Sequence, residues 1–453
     1  MEEWAASELE NVDLGDARRN KRLKRLVEDL ASQPSCSVPQ ACGDVASTSA
    51  AYDLWNSPYF QPSDIHNGHI ASTIKRIKKH SVILAIQDTT NIDLTHHPRT
   101  SGLGHLDHRK TFGLKVHSTL TTTTCGVPLG IMNQQVWARD VENLGIAKKR
   151  RKRQTKEKES QRWLDSLKQT QTLVPNNIQV ITLADSEADI FDLFSQKRPE
   201  SSHLLIRGTH NRKVDHTAEY LHQAINQTSV CGTVTVEVKR NPERPARQAK
   251  LTLKFTTLDI QVPLHHIAKK QLEPVKLQVV LASEENPPTG VKAISWLLLT
   301  TMPINDFDSA VQCVKWYTSR WLIERYHYVL KSGCGIEKLQ LETAKRINMA
   351  LATYSIVAWR LLWLTYEARF NPDIPCTNVL ETHEWQSLCA TINRNPIPPQ
   401  KPPSLKEAVY MIAKLGGFLC RKGDGNPGVK TIWRGLRRLH DIAQTWKLIK
   451  FKT

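Results

Sequence analysis

The chain lacks the features that mark secreted and membrane-spanning proteins. Its nine cysteines are an odd number and none stands in a CxxC pair, which argues against a disulfide framework and against a structural zinc site. The start, MEEWAASELE, is acidic and has no apolar signal segment. The most apolar run, residues 349–364, is 16 residues long and contains Arg360, so it is too short and too charged for a membrane span. We expect a core helix there, a cytoplasmic protein and no membrane partner.

Acidic residues are scarce relative to basic ones. The 453 residues include 62 Lys and Arg against 44 Asp and Glu, a net charge of +18. The excess is concentrated, because residues 401–453 hold 12 bases and three acids, residues 148–158 hold eight bases and one acid, and residues 17–26 hold six bases. Three separate basic segments indicate a long polyanion as partner rather than a small acidic substrate.

The sequence pattern predicts a helical N-terminal domain over residues 1–70. Within LGDARRNKRLKRLVEDL (14–30), Leu23, Leu26, Val27 and Leu30 recur at helical spacing. The bases lie on the opposite face, so an amphipathic helix with a basic outer surface is expected. A proline-bearing segment, residues 57–65, then precedes the end of this domain.

The next part of the chain predicts an α/β unit with a mixed sheet. Three β-rich segments are followed by a helix, a strand and a second helix, in the order 81–93, 114–124, 127–138, 160–173 and 178–194. A strongly β-rich stretch follows, with strands expected at 233–240, 249–264, 276–283 and 293–301. We therefore predict a catalytic domain over 71–345, interrupted by a β-rich insertion at about 208–300.

The remaining residues, 346–453, are expected to form a helical C-terminal domain. Residues 395–404, NPIPPQKPPS, predict a proline-rich linker within it. GDGNPG (423–428) predicts a loop between helices. Because it lacks the GxxxxGK[ST] pattern, we expect no nucleotide cofactor.

Three acids occupy positions suited to metal-dependent chemistry. Asp88 and Asp185 come at the ends of apolar strands, where ligands bind in open α/β folds, and Glu324 lies on a later helix. Close carboxylates repel one another unless a cation compensates, and Mg²⁺ prefers oxygen ligands. Two such ions, about 3.5–4 Å apart, can hold both the attacking and the leaving oxygen of a phosphoryl transfer. Each aspartate alone is equally explained as a turn or helix cap.

The stretch YTSRWLIERYHYVLK (317–331) places a phenol, a guanidinium, a carboxylate and an ammonium at helical spacing. Tyr317, Arg320, Glu324 and Lys331 would share one stripe of a single helix. The flanking residues are largely apolar, so much of this helix is expected to be buried. For a lone helix, a solvated ridge with an Arg–Glu pair explains the pattern as well.

These residues carry a resemblance to a known family. Asp88, Asp185 and Glu324 resemble the DDE triad of RNase H-like transposases, and residues 317–331 match the signature Tyr-x2-Arg-x3-Glu-x6-Lys of the bacterial cut-and-paste transposases related to transposon Five, in the insertion-sequence four group. Supporting motifs run along the whole chain: LGDARR, QDTT, ADSEADI, NPP before WLLLT, and GGFLCRKGDGNPGVKTIWRGLRRL.

The resemblance implies a role for each matching residue. Asp88, Asp185 and Glu324 would ligate two Mg²⁺ ions, for which Mn²⁺ can substitute. Tyr317, Arg320 and Lys331 would hold phosphates at the scissile bond, and Arg207 would contact the end DNA. Trp296 would stack on a base flipped out as the DNA forms a hairpin. Taken singly, Trp296 is also compatible with a core position and Arg207 with a plain surface base.

The resemblance also implies roles for the domains. The N-terminal helix, with Arg18, Arg19 and Arg22, would bind the terminal inverted repeat, the β-stranded insertion would contact DNA, and the C-terminal helices would pair two subunits in a synaptic complex on DNA. One departure is the basic run KKRRKR (148–153), which suits either contact with flanking or target DNA, a solvated loop, or a nuclear-localisation segment.

The function that follows is a transposase acting on inverted repeats and target DNA. Two alternatives remain at this point. The first is a catalytically idle, transposase-derived DNA-binding regulator, against which the intact triad and N-terminal helix speak. The second is an RNase H-like nuclease or junction resolvase, which leaves the β insertion and the basic helical tail without a role.

Overall fold

The structure is a computed structural model that describes residues 2–108, 110–139, 158–214, 220–238, 246–266 and 268–450. It divides into two compact units. The helical unit comprises Met1–Lys79, Thr89–Leu144 and Ile323–Thr453, and the sheet unit comprises His80–Asp88 and Gly145–Leu322. The basic run at 148–153 lies outside the described residues.

The helices and strands are numbered along the chain. The described helices are α1 Glu2–Glu8, α2 Ala17–Ser32, α3 Val38–Cys42, α4 Val45–Trp55, α5 Pro62–Ile77, α6 Gln161–Leu173, α7 Phe191–Ser195, α8 Leu221–Gln227, α9 Phe307–Thr318, α10 Trp321–Tyr328, α11 Ala344–Phe370, α12 Thr382–Asn393, α13 Leu405–Leu415 and α14 Val429–Lys450. The strands are β1 Val82–Asp93, β2 Gly104–His105, β3 Phe112–Thr123, β4 Pro128–Trp137, β5 Gln179–Ala184, β6 Ser202–Arg207, β7 Gly232–Val238, β8 Arg247–Ile260, β9 Val275–Ser283 and β10 Ser295–Thr300.

The sheet unit is built on a mixed β-sheet flanked by helices, as the sequence predicts. Strand β5 pairs in parallel with β1 on one side and with β6 on the other. From β6 the sheet continues through antiparallel pairs in the order β10, β9, β8 and β7. The β-rich residues therefore extend the same sheet instead of forming a separate one. A buried apolar cluster that includes Trp163, Phe191, Leu204 and Leu299 covers one face.

The helical unit combines the antiparallel β2–β3–β4 strands with helices from both ends of the chain. Its central element is α11, which contains the apolar run that the sequence assigned to a core helix. Among the described helices, α11 alone is long and apolar enough to cross a membrane by composition, and 83% of its most apolar window is buried in the protein. That burial is typical of a core helix, as predicted.

The prediction of a single helix over residues 317–331 is wrong. The chain forms α9, a turn at Ser319 and Arg320, α10, and then a π-helical segment over Val329–Gly333. The Thr318 hydroxyl donates to the Lys315 carbonyl at 2.6 Å, and the Ser319 N–H bonds to Trp316 O at 2.9 Å instead of to Lys315 O. Such local hydroxyl–carbonyl bonds compete with the helical ladder. One helical stripe therefore does not describe the four polar side chains, although the apolar flank is buried as expected.

A second difference concerns Asp88, which was expected at the end of an apolar strand within the β-rich segment 81–93. The strand continues to Asp93. What ends next to Asp88 is the buried run from Ile83 to Gln87, after which residues 88–91 are half-buried and Ile92 is buried again. The β-rich segment predicted over 81–93 is therefore one strand, with Asp88 inside it.

A buried carboxylate joins α1 to α5 inside the helical unit. Glu8 accepts hydrogen bonds from His69 Nδ1 at 2.6 Å and from Arg76 Nη1 and Nη2 at 2.7 and 2.9 Å. The Ile131 N–H donates to His69 Nε2 at 2.9 Å, so His69 is the neutral Nδ1–H tautomer, and burial lowers its pKa. Burial by itself would raise the pKa of Glu8, but His69 and Arg76 outweigh it and hold that pKa at about 2.

We predict that Glu8→Gln destabilises the protein in a pH-dependent way. Because the pKa of Glu8 falls from 4.5 to about 2 on folding, its charge stabilises the fold above pH 4.5, by on the order of 3 kcal/mol. This contribution is lost as the pH falls from 4.5 towards 2. Urea midpoints of wild type and variant should therefore differ clearly at pH 7 and converge only as the pH approaches 2.

The matched control is Glu10→Gln, which removes an exposed ion pair with Lys75, also on α5. Exposed pairs contribute little, so this variant should unfold close to wild type. Equal effects of the two substitutions at pH 7 would contradict the role given to Glu8.

Candidate active site

The parallel pairing of β1 and β5 brings two aspartates to the same edge of the sheet. Val82 pairs with Gln179, and the register runs without a shift to Ile86 and Leu183. Two residues beyond these paired positions come Asp88, within β1, and Asp185, the first residue after β5. Residues at the same level of neighbouring parallel strands point to the same face, about 4.8 Å apart. The two aspartates therefore come at the same edge of the sheet, where the buried runs of the two strands end.

Both aspartates are half-buried and their immediate surroundings differ. The Arg320 Nη1 atom lies 3.9 Å from Asp88 Oδ2, with 20% and 16% of the two side chains exposed. Asp185 caps the short 3-10 helix Ser186–Ala188 by accepting a hydrogen bond from the Glu187 N–H at 2.9 Å. The helix cap considered for Asp185 is thus present, and the bond to the Glu187 N–H uses Oδ1 of the carboxylate.

An aromatic and basic group lies in the same unit. Arg207, the last residue of β6, pairs with Leu298 of β10, and Trp296 is two residues away on that strand. The Trp296 and Tyr317 rings meet edge to face at 5.6 Å. Trp296 is half-buried and so is not a plain core residue, whereas Arg207 is exposed, which is also compatible with a plain surface base.

Charges around Tyr317 link this group to the aspartates. Tyr317 is 5% exposed, and burial raises the pKa of its phenol, while the Arg320 and Arg207 guanidinium groups lower it and the Asp185 carboxylate raises it. The net pKa is above the usual value of 10.0. The phenol is therefore a protonated donor at neutral pH, surrounded by two cations and one of the paired acids.

Glu324 and Lys331 belong to the helical unit. Glu324 is exposed on α10. Lys331 Nζ lies 3.2 Å from Glu337 Oε1, and the two side chains are 30% and 28% exposed, respectively. A partly exposed pair of this kind is weak, so a phosphate can compete with Glu337 for the ammonium group.

The three N-terminal arginines fall into two groups. Arg18 and Arg22 are exposed on α2, whose apolar face buries Leu23, Leu26, Val27 and Leu30 as predicted. Arg19 is held against the protein, with its guanidinium 4.2 Å above the Tyr59 ring and Nη1 donating to Leu14 O at 3.1 Å. The sequence did not separate Arg19 from its neighbours, because the ring that binds it comes 40 residues later in the chain.

Sequence analysis gave no role to Asp189, four residues after Asp185. Its side chain is fully buried and accepts hydrogen bonds from the Thr209 and His210 N–H groups at 2.8 and 2.9 Å. It also pairs with the Arg212 guanidinium. A signal was present, because Asp189 is an acid set among Ala188, Ile190 and Phe191, where a charge needs a buried partner.

The paired aspartates have the chemistry of a divalent-cation site. Within the described residues, no three His, Cys, Asp or Glu side chains gather closely enough to hold a metal ion. Two adjacent carboxylates at a sheet edge nevertheless supply the hard oxygen donors that Mg²⁺ and Mn²⁺ prefer. They fit such an ion provided that further oxygen ligands complete the site.

The mixed sheet flanked by helices defines an RNase H-like α/β core. Residues 83–360, more than half of the chain, match the family described as Transposase DDE domain, and the chain belongs to the DDE transposases. Residues 1–59 match Transposase DNA-binding, and residues 356–448 match Transposase Tn5 dimerisation domain. The chain is thus a DNA transposase with DNA-binding and dimerisation domains, of a class that generally uses divalent metal ions.

We predict that the Tyr317 phenol ionises above pH 10 and that Arg207→Gln raises its pKa further, because that substitution removes a nearby positive charge. The measurement is a pH titration by NMR of protein labelled at tyrosine ¹³Cζ, with the resonance assigned by its loss in Tyr317→Phe. Lys168→Gln, which removes an exposed base of α6, is the control and should leave the titration unchanged. A Tyr317 pKa insensitive to Arg207 would refute the arrangement described here.

Proposed function

We propose that this chain is a cut-and-paste transposase of the insertion-sequence four group, which excises its own element and joins it to target DNA. The observation that supports the proposal is the register of β1 and β5, because Asp88 and Asp185 each follow the paired residues Ile86 and Leu183 by two positions. The signature residues from Tyr317 to Lys331 and the match to the DDE family support it.

Asp88 and Asp185, with Glu324 as the third carboxylate, are the residues that would hold two Mg²⁺ ions, with Mn²⁺ able to substitute. The ions would supply charge neutralisation and activation at the attacking and leaving oxygens. Two aspartates alone do not complete a metal site, so we propose Glu324 as a further ligand. Arg320, 3.9 Å from Asp88, adds positive charge from the protein itself.

The neighbouring residues would bind the DNA strand. Arg320 and Arg207 offer planar groups that suit phosphate oxygens, and Lys331 offers a compact charge that exchanges Glu337 for a phosphate. Tyr317 stays protonated and donates a hydrogen bond. The indole of Trp296 provides a surface on which a flipped base stacks, which tolerates any base.

The proposed reaction is a series of phosphoryl transfers at one site. Water cleaves one strand at the element's end and leaves a 3′-hydroxyl. That hydroxyl attacks the opposite strand, displaces the flanking DNA and closes a hairpin, which a second water opens. The regenerated 3′-hydroxyl then attacks a phosphodiester of target DNA and joins the element to it. Each step forms one P–O bond and breaks another, so positioning and charge neutralisation suffice.

The two end domains would organise the DNA. We expect α2 to bind the terminal inverted repeats and the C-terminal helices to pair two chains in a synaptic complex. The place of action is the bacterial cytoplasm, at the nucleoid. These assignments rest on the DNA-binding and dimerisation matches and on the exposed bases of α2.

We predict that Asp88→Asn abolishes cleavage and leaves DNA binding intact. The amide keeps the shape of the side chain and removes one anionic ligand, so cleavage should fall by about a thousandfold or more. The assay uses a plasmid carrying the inverted repeats that flank the gene, with and without Mg²⁺, and follows fragment release and hairpin ends on a denaturing gel.

Asp93→Asn is the matched control, because it alters an acid on the same strand whose carboxylate bonds to Thr95 in a local turn. It should cut like wild type. Cutting by Asp88→Asn in Mg²⁺ would make the assignment of Asp88 wrong. Binding without any cleavage by the wild-type chain in Mg²⁺ or Mn²⁺ would point instead to a catalytically idle DNA-binding regulator.

We predict that replacing Arg18 and Arg22 together by alanine weakens binding to the inverted repeat and lowers the salt dependence of that binding. Each lost phosphate contact reduces the slope of log affinity against log salt by about one, so the double variant should lose about two. Fluorescence anisotropy over a salt series measures this. Lys168→Ala, on α6, should leave the slope unchanged, and an unchanged slope in the double arginine variant would exclude α2 as the phosphate-binding helix.

A further inference from the structure

Asp189 connects two segments of the sheet unit that the proposed chemistry uses. It lies just after the 3-10 helix capped by Asp185, and its hydrogen-bond partners lie in the loop that follows Arg207 at the end of β6. Asp189 itself is fully buried, so its carboxylate is not placed to meet a substrate.

The buried carboxylate is saturated with donors. Oδ2 accepts from the Thr209 N–H at 2.8 Å and from the His210 N–H at 2.9 Å. Oδ1 accepts from Arg212 Nε at 3.1 Å and also from Arg212 Nη2, which in addition donates to the Asp189 carbonyl at 2.7 Å. Charge-assisted bonds of this kind are about twice as strong as neutral ones. The loop from residue 209 to residue 212 is therefore bound to the Asp189 carboxylate at several positions.

Arg207 is the last residue of β6 and comes two positions before the loop that Asp189 binds. Its backbone is in register with Leu298 of β10, and the Gly208 N–H donates to Leu297 O at 2.7 Å. A side chain at position 208 would meet Leu297 and Leu299 at 3.2–3.3 Å, so glycine permits this close passage. The strand ends at Arg207, and strand ends fray unless the next residues are held. Asp189 holds the first two residues after Gly208.

We propose that Asp189 is a positioning residue, whose buried carboxylate fixes the 209–212 loop and thereby keeps the Arg207 guanidinium at Ser295 O, next to the Trp296–Tyr317 ring pair, where it binds the DNA strand. The inference rests on the proposed function, since it gives Asp189 its effect on cleavage only through Arg207. The influence of Arg207 on the pKa of Tyr317 agrees with this placement.

The test is a double-mutant cycle on end cleavage with the full-length chain, using Asp189→Asn, Arg207→Ala and the combined variant. A small misplacement of a binding group costs about tenfold to a hundredfold in rate, and each single substitution should lose that much. If Asp189 acts through Arg207, the double variant should be about as slow as Arg207→Ala alone. Losses that multiply would overturn the inference and leave Asp189 with a purely structural role.

Glu284→Gln is the matched control, because Glu284 is another buried carboxylate of the same unit. It pairs with Arg247 through two bonds and accepts the Ile294 N–H at 3.1 Å. Any loss it causes should multiply with that of Arg207→Ala. If it were as non-additive with Arg207→Ala as Asp189→Asn, the cycle would report general destabilisation, and the inference would be wrong.

A second measurement does not depend on cleavage. Hydrogen exchange of the Thr209 and His210 amides should speed up in Asp189→Asn and stay unchanged in Glu284→Gln. Unchanged exchange in Asp189→Asn would overturn the inference even if cleavage fell. A wild-type chain that does not cleave, or an Arg207→Ala variant that cleaves normally, would refute the proposed role of Arg207 first and remove the basis for the inference with it.

Discussion

The parallel alignment of β1 with β5 is the constraint on which the candidate active site depends. A register shift of one residue would turn one of the two aspartates to the opposite face of the sheet, and the pair would no longer exist. The register is held by the buried run from Ile83 to Gln87 and by its counterpart from Val180 to Ala184. These buried and largely apolar residues belong to the core, so the position of the acids is set by hydrophobic burial and not by the acids themselves.

Cations or hydrogen-bond donors lie next to the three acids in this part of the sheet unit. Arg320 lies near Asp88, the Glu187 N–H donates to Asp185, and the completely buried Asp189 is bound by Arg212 and two backbone N–H groups. The difference in burial is informative, because Asp88 and Asp185 are half-buried whereas Asp189 is completely buried among its donors. A carboxylate that must accept a metal ion or approach a phosphate cannot already be saturated. Full saturation suits a residue that holds other parts of the site in place.

The helical unit also contains a buried carboxylate surrounded by hydrogen-bond donors, and there it connects secondary-structure elements. Glu8 is bound by His69 and Arg76, and His69 in turn accepts the Ile131 N–H. The network ties a helix of the N-terminal DNA-binding segment to α5 and to strand β4 within one unit. A terminal helix of seven residues is too short to be stable alone, so a buried ion pair with specific geometry fixes where it docks.

The sequence by itself determined the class of fold and most of the elements. Apolar alternation located the strands, helical spacing located α2 with its buried Leu23 and Leu30, and the length and charge of the run at 349–364 identified α11 as a core helix. Local patterns are sufficient there because the spacing of apolar residues, which reflects helix or strand geometry and burial, is visible within about ten to twenty residues. Tertiary structure decided what depends on residues far apart: that Arg19 stacks on Tyr59 and that Asp189 binds the loop after Arg207. The break at Thr318 and Ser319 is local, because it uses bonds to residues three positions earlier that compete with the helical ladder. Packing and hydrogen-bond partners select among conformations that local sequence leaves nearly equal in free energy, and they are known only once the chain has folded.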